Sequence, residues 1–213
     1  MPSSSQWLAF LVASVLFIQV PGPSLLFTIG RALTVGRRDA LLSVVGNGLG
    51  LMVQVLLVAV GPGAVVAASA SAYTVIKLVG AGYVIYLGVQ AIRHRGDARL
   101  ALERAAEEVP HRTTAVRSVR TGVIVGATNP KTIVFFVAFL PQFTNDSAGS
   151  PGTALALLGL VFGAMAIASD SIWALAASKA RDWFSSRPRR LDRLGATGGL
   201  MMVCLGTTMA VTE

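Results

Sequence analysis

"VGATNPKTIVFF", residues 125–136, sets an amide, a proline and a lysine in the middle of an apolar run. Inside a helix a proline deletes one backbone hydrogen bond and clashes with the preceding turn, at a cost of about 3 kcal/mol. In hydrocarbon an undonated carbonyl costs more still, so irregular backbone survives there only where it is buried in protein or lines a polar cavity. Lys131 adds a charge at the same point. Either this run does not cross a membrane, or it is a membrane span built around a break.

Composition favours the second. The 213 residues are 54% hydrophobic and only 13% charged, with a mean hydropathy of +0.67, which leaves too little polar surface to coat a soluble globule of this size. The net charge of +8 would suit a nucleic-acid binder if it sat on a folded polar domain. No such domain is left once the apolar segments are marked. Six of them approach the roughly 20 residues that cross a bilayer: 6–32, 40–60, 72–92, 118–140, 152–178 and 194–211. The first lacks a basic flank and a small-residue cleavage site and is read as a retained span.

Sixteen of the eighteen basic residues fall in three places: Arg31, Arg37 and Arg38 after the first span, the stretch from Arg93 to Arg120, and the stretch from Lys179 to Arg193. Lys and Arg near span ends stay on the cytoplasmic side. Both termini are therefore predicted to face outside. The 93–117 loop has helical propensity over 100–108 and reads as a solvated or headgroup-level helix.

Three spans per half means that the second half is inverted relative to the first. The predicted fold is one all-α membrane domain, 1–213, of six transmembrane helices in two inverted three-helix repeats: 1–92, then the basic loop 93–117, then 118–213. Pro21, Gly22 and Pro23 interrupt the first span of one repeat, and Asn129 and Pro130 interrupt the first span of the other. Two breaks in corresponding positions point to a site at the repeat interface of a secondary transporter. Lys131 lies roughly 20 Å inside its span at 1.5 Å per residue, and Asp170 roughly 13 Å from the inner end of the fifth. A charge at such depth costs at least about 2.5–3.5 kcal/mol, so each is expected to face the bundle interior.

The two charges are expected to pair directly or through substrate, with Lys131 meeting a carboxylate and Asp170 meeting an ammonium or a coupling proton; a structural ion pair is the plainer alternative. Asn47 and Gln54 share a helical face, as cavity liners or as interhelical hydrogen-bond donors. Gly46 with Gly50, and Gly195 with Gly199, have the spacing that lets helices approach closely.

Enzymatic readings lack their groups. Cys204 is the single cysteine, His94 and His111 share one loop outside the spans, and no Gly-x-x-x-x-Gly-Lys-Ser/Thr loop occurs. Thiol exchange, an intramembrane histidine site and direct ATP drive are thereby excluded. No cofactor or metal is expected, and transport must draw on an ion gradient or the substrate's own gradient.

"PGPSLLFTIGRAL", "GRRDALLSVVGNGLG", "KLVGAGYVIYLGVQAIR", "TNPKTIVFFVAFLPQF" and "SDSIWALAASKAR" resemble, in order, the signature blocks of the lysine-exporter and homoserine/threonine-resistance family of amino-acid efflux proteins. The resemblance implies a bacterial inner-membrane exporter with periplasmic termini, proton-coupled, releasing amino acids or related metabolites. It also places Pro21, Gly22, Pro23, Asn129, Pro130, Lys131 and Asp170 in the functional core. One departure stands out: Leu51 and Gln54 occupy positions where many relatives carry an acidic residue followed by a histidine. Gln54 cannot titrate, and the sparser charge favours neutral amino acids. The alternatives are efflux of another small molecule or cation, and a non-transporting scaffold. The expected partners are a small-molecule substrate, protons and the lipid bilayer, with no nucleic acid; a homo-oligomer is compatible with all of this.

Overall fold

The computed structural model describes residues 2–60, 70–97, 99–100, 103, 114–144, 151–180, 183, 186–187 and 189–211. The Gly61-Pro62-Gly63 connection, most of the helix expected over 100–108, His111 and the side chain of Lys77 lie outside the described residues. All regular structure among the described residues is helical. In chain order the α-helices are α1 (Ser4–Gln19), α2 (Pro23–Thr34), α3 (Arg37–Val60), α4 (Ala70–Arg93), α5 (Ala115–Ala127), α6 (Pro130–Val134), α7 (Pro151–Lys179) and α8 (Arg189–Val211). A π-helical turn, Phe135–Phe139, and a 3-10 turn, Leu140–Phe143, continue α6.

Both expected breaks are present. α1 and α2 meet at 50°, and α5 meets the helix continued from α6 at 42°. Proline sets the start of each second piece: Pro23 and Pro130 sit at the first helical turn, where a missing N–H does no harm. α3 and α7 are each long and apolar enough to cross a membrane, and the two bent pairs raise the number of spans to as many as four. α8 begins at Arg189, five residues before the apolar stretch that starts at 194. Large apolar side chains such as Leu8, Leu57 and Ile172 point outward and are at least 65% exposed. Polar groups, by contrast, are found inside: Asn47, Gln54, Asn129, Lys131 and Asp170 are all buried. This is the distribution that a hydrocarbon surround selects.

Glycine decides how closely the helices pack. On α3 a Cβ at Gly46 or Gly50 would collide with the backbone of α5, and on α5 a Cβ at Gly122 or Gly126 would collide with the carbonyls of Ser43 or Asn47. Four glycines thus bring two backbones into contact, with dispersion and weak Cα–H···O contacts in place of side-chain packing. Gly88 and Gly199 do the same between α4 and α8. Gly195, by contrast, meets Arg95 only at ordinary contact distance. The α4–α8 pair joins the rest where Gly198 faces Pro21 and Gly80 faces Val134.

These contacts give opposite signs for two similar substitutions. Gly122→Ala forces α3 and α5 apart and is expected to cost about 1–3 kcal/mol. Gly82→Ala meets no neighbour within 4 Å and is expected to gain up to about 1 kcal/mol from helix propensity. Thermal unfolding of the purified protein in detergent checks the contrast, and equal midpoints for the two variants would count against it.

Candidate functional site

Each proline removes a hydrogen bond from a specific carbonyl. In a continuous helix the Phe17 carbonyl would accept from the N–H of residue 21, and the Gly126 carbonyl from that of residue 130. Both of those residues are proline. Side chains from elsewhere in the chain bond both carbonyls, although the Gly126 carbonyl also receives the Asn129 N–H at 3.5 Å. The Lys131 ammonium donates to the Phe17 and Val20 carbonyls, each at 2.6 Å. The Gln54 amide donates to the carbonyls of Gly126 at 2.8 Å, Ala127 at 3.1 Å and Asn129 at 3.2 Å. Its own oxygen accepts from Thr132 Oγ1 at 2.7 Å. So the break in the first half is capped by a residue of the second, and the break in the second by a residue of the first.

Lys131 also places its charge where the α1 dipole is negative and lies 4.5 Å from the Phe17 ring centroid. An ammonium has three N–H donors. Two are engaged by the carbonyls, leaving one for the space in front of it.

That space is a cavity of about 40 Å³, lined among others by Gly22, Ser24, Asn47, Asn129, Lys131 and Asp170. It has room for about one water molecule. Asp170 accepts from Asn47 Nδ2 at 3.1 Å and makes no direct ion pair with Lys131. Ser24 lies beside the Asp170 carboxylate without reaching hydrogen-bond geometry, and the buried Asn47 Oδ1 has no partner either. A buried polar atom without a partner costs about 1–3 kcal/mol. Here two of them, Ser24 Oγ and Asn47 Oδ1, belong to residues lining one small polar space.

The start of α2 faces it too. Gly22 is the residue before the helix and supplies no side-chain cap, so the first N–H groups of α2 have no intrahelical acceptor. They present the positive end of the helix dipole to the cavity. Gly22 itself is closed in by Lys131, whose Cδ would lie 2.8 Å from a Cβ added there. Asn129 caps α6 by accepting the Lys131 backbone N–H at 3.1 Å.

Gly22, Asn47, Asn129, Lys131 and Asp170 therefore meet at one cavity. Pro21, Pro23 and Pro130 do not line it; they act through the carbonyls they leave open and the helix starts they fix. Gln54 is not a cavity liner but the interhelical donor that closes the second break. One cluster escaped sequence reading. Arg31 donates to Ser43 Oγ at 3.2 Å and to Ser118 Oγ at 2.9 Å, and Ser118 Oγ donates to Asp39 Oδ1 at 3.3 Å. These bonds tie α2, α3 and α5 together at their basic ends. On the other side of the cavity Phe17, Phe135, Phe136 and Phe162, none more than 3% exposed, pack ring against ring.

A family profile described as LysE type translocator matches residues 15–213. The chain belongs to the LysE family. It is thus a membrane transport protein rather than an enzyme. Among LysE-related proteins, an uncharacterized membrane protein of Vibrio cholerae is 33% identical over 208 residues, 97% of each chain. The homoserine/homoserine lactone efflux protein of Salmonella typhimurium is 28% identical over 96% of this chain and 95% of its own. The leucine efflux protein of Klebsiella pneumoniae is 25% identical over 97% and 95%. No solved structure matches.

The capping role of Gln54 predicts a signed mutational cycle. Gln54→Leu withdraws the side-chain donor that the Gly126, Ala127 and Asn129 carbonyls share, while the Asn129 carbonyl keeps the Ile133 N–H and the Thr132 hydroxyl, and is expected to cost about 1–3 kcal/mol. Pro130→Ala returns an N–H to the Gly126 carbonyl and is expected to recover part of that loss in the double variant. Reversible unfolding in detergent measures both. A Gln54→Leu protein as stable as the parent would show that the break is not held this way.

Proposed function

We propose that the chain is a proton-coupled exporter of neutral amino acids, with six spans in two inverted repeats, its basic end in the cytoplasm of a bacterium and both termini in the periplasm. The observation that carries the site is that Lys131 and Asp170 are both buried, face one cavity and do not pair with each other. A buried charge without a counter-ion is costly. An α-amino acid brings both missing partners on one carbon: a carboxylate for the third N–H of Lys131 and the first N–H groups of α2, and an ammonium for Asp170.

The remaining walls are apolar and aromatic, Leu51, Phe17 and Phe162 among them, which suits a side chain without charge. The similarity to a leucine efflux protein and to a homoserine/homoserine lactone efflux protein supports the same class, since leucine and homoserine carry no side-chain charge. α4 and α8 supply the fifth and sixth spans, at 24 and 23 residues. Asp170 is the group assigned to the coupling proton, because among the described residues no other carboxylate lines the cavity.

Proteoliposomes test this directly. Radiolabelled leucine and homoserine are expected to leave down an imposed proton gradient, and lysine is not. Movement of lysine alone would sink the neutral assignment. Asp170→Asn is expected to lose gradient-driven export and, because the substrate ammonium loses its counter-charge, to weaken leucine counterflow. Lys131→Ala is expected to lose both at a normal protein level; unchanged flux in these variants would return the two charges to a purely structural role.

A further inference from the structure

A second cavity reaches the same break from the other side. It holds about 400 Å³, ten times the buried one, and is lined by Gly22, Pro23 and Leu26 of the first span, Leu87, Gln90 and His94 of α4 and its end, and Met202 of α8, with Arg95 and Asp97 beyond His94. The floor is Gly22, which also lines the polar cavity. Gly22 is the residue that the two linings have in common, and the Lys131 alkyl chain lies against it.

The space runs along the axis of α4. From Leu87 to His94 the rise is about 10 Å, at 1.5 Å per residue, so it leads from the middle of the bundle to its basic end. The opposite flank of α2 is closed, because there Arg31 binds Ser43 and Ser118. The face toward α4 and α8 is hollow. Its rim carries charges of both signs and its depth is aliphatic, with Leu26, Leu87, Ala91 and Met202. That combination fits a zwitterion with an apolar side chain; a bare cation would meet Arg95 at the rim, with Asp97 alone among the named lining residues in its favour.

We infer that this hollow between α2, α4 and α8 is the cytoplasmic vestibule through which a zwitterionic aliphatic amino acid reaches the Gly22–Lys131 partition, with Gln90 and His94 on its path. The inference rests on the exporter reading and adds to it the route and the side of access. The vestibule volume lies within the range of small-molecule sites, whereas the inner cavity accepts the substrate only after Lys131 swings off Gly22.

A single cysteine at Gln90 tests the route, in a Cys204→Ser background that removes the native thiol. A charged, membrane-impermeant methanethiosulfonate reagent is expected to modify Gln90→Cys in inside-out vesicles and not from the outer face. Modification is expected to abolish leucine efflux, and saturating leucine is expected to slow modification several-fold. Val89→Cys, exposed on α4 outside the hollow, is the control: its modification is expected to leave efflux intact. Modification of Gln90→Cys without loss of flux, or reaction only with lipophilic reagents, overturns the vestibule, since the hollow is then a lipid-filled groove. If the unmodified parent moves no amino acid at all, the exporter reading fails first and takes this one with it.

Discussion

The Lys131 ammonium on the carbonyls of Phe17 and Val20 is the contact on which the rest of the arrangement depends. A proline pair flanking Gly22 could not remain inside an apolar bundle with those carbonyls open, since each costs several kcal/mol in hydrocarbon. A lysine could not be buried there without acceptors. Each of these liabilities removes the other. Gln54 repeats the solution at the second break with a neutral amide, and because no charge is involved the break there is the more purely structural of the two. Among the described residues, the buried cation of the spans thus sits at the break that borders the larger cavity.

Backbone proximity makes such long-range capping feasible. Gln54 can reach the carbonyls of Gly126 and Ala127 at the end of α5 and of Asn129 beyond it because Gly46, Gly50, Gly122 and Gly126 let α3 and α5 touch. The same closeness brings Asn47 within reach of Asp170 on α7. Where glycines are used this way they set a distance rather than a conformation, and a methyl group added at any of them would act on the polar network before it acted on the fold.

The breaks, the apolar spans and the buried charges were legible in sequence because each violates a pattern: a proline in a hydropathy plateau, a charge at depth. Hydropathy alone does not fix where a helix begins, as α8 shows. There the helix runs five residues into the charged stretch, because hydropathy marks where a helix turns apolar and not where it starts. What each side chain would bond to was not legible. Backbone carbonyls are the same in every residue, so nothing in the sequence says that Lys131 answers Pro21 or that Gln54 answers Pro130. Gly122 and Gly126 passed unremarked for a similar reason: a small residue reveals a close approach only once its partner helix is known. The Arg31–Ser43–Ser118 cluster was hidden behind a simpler explanation, since Arg31 already served as one of many cytoplasmic charges.

The two sides of the polar cavity differ in what a substrate could replace. Toward the basic end the partition is Gly22 backed by a lysine whose bonds are polar, charge-assisted and worth about 1.5–3 kcal/mol each. A carboxylate competing for that ammonium offers bonds of the same kind, so binding can compensate for parting the gate, which is the differential interaction that a ligand needs in order to shift a conformational equilibrium. On the far side the seal is four phenylalanines in contact, and a polar substrate has nothing to exchange with them. Opening that side needs a change elsewhere, and Asp170 on α7, the helix that carries Phe162, is the titratable group placed to provide it. On the exporter proposal, gate chemistry of this kind sets the order of events, substrate before proton-linked release. The direction of net transport still comes from the gradients alone.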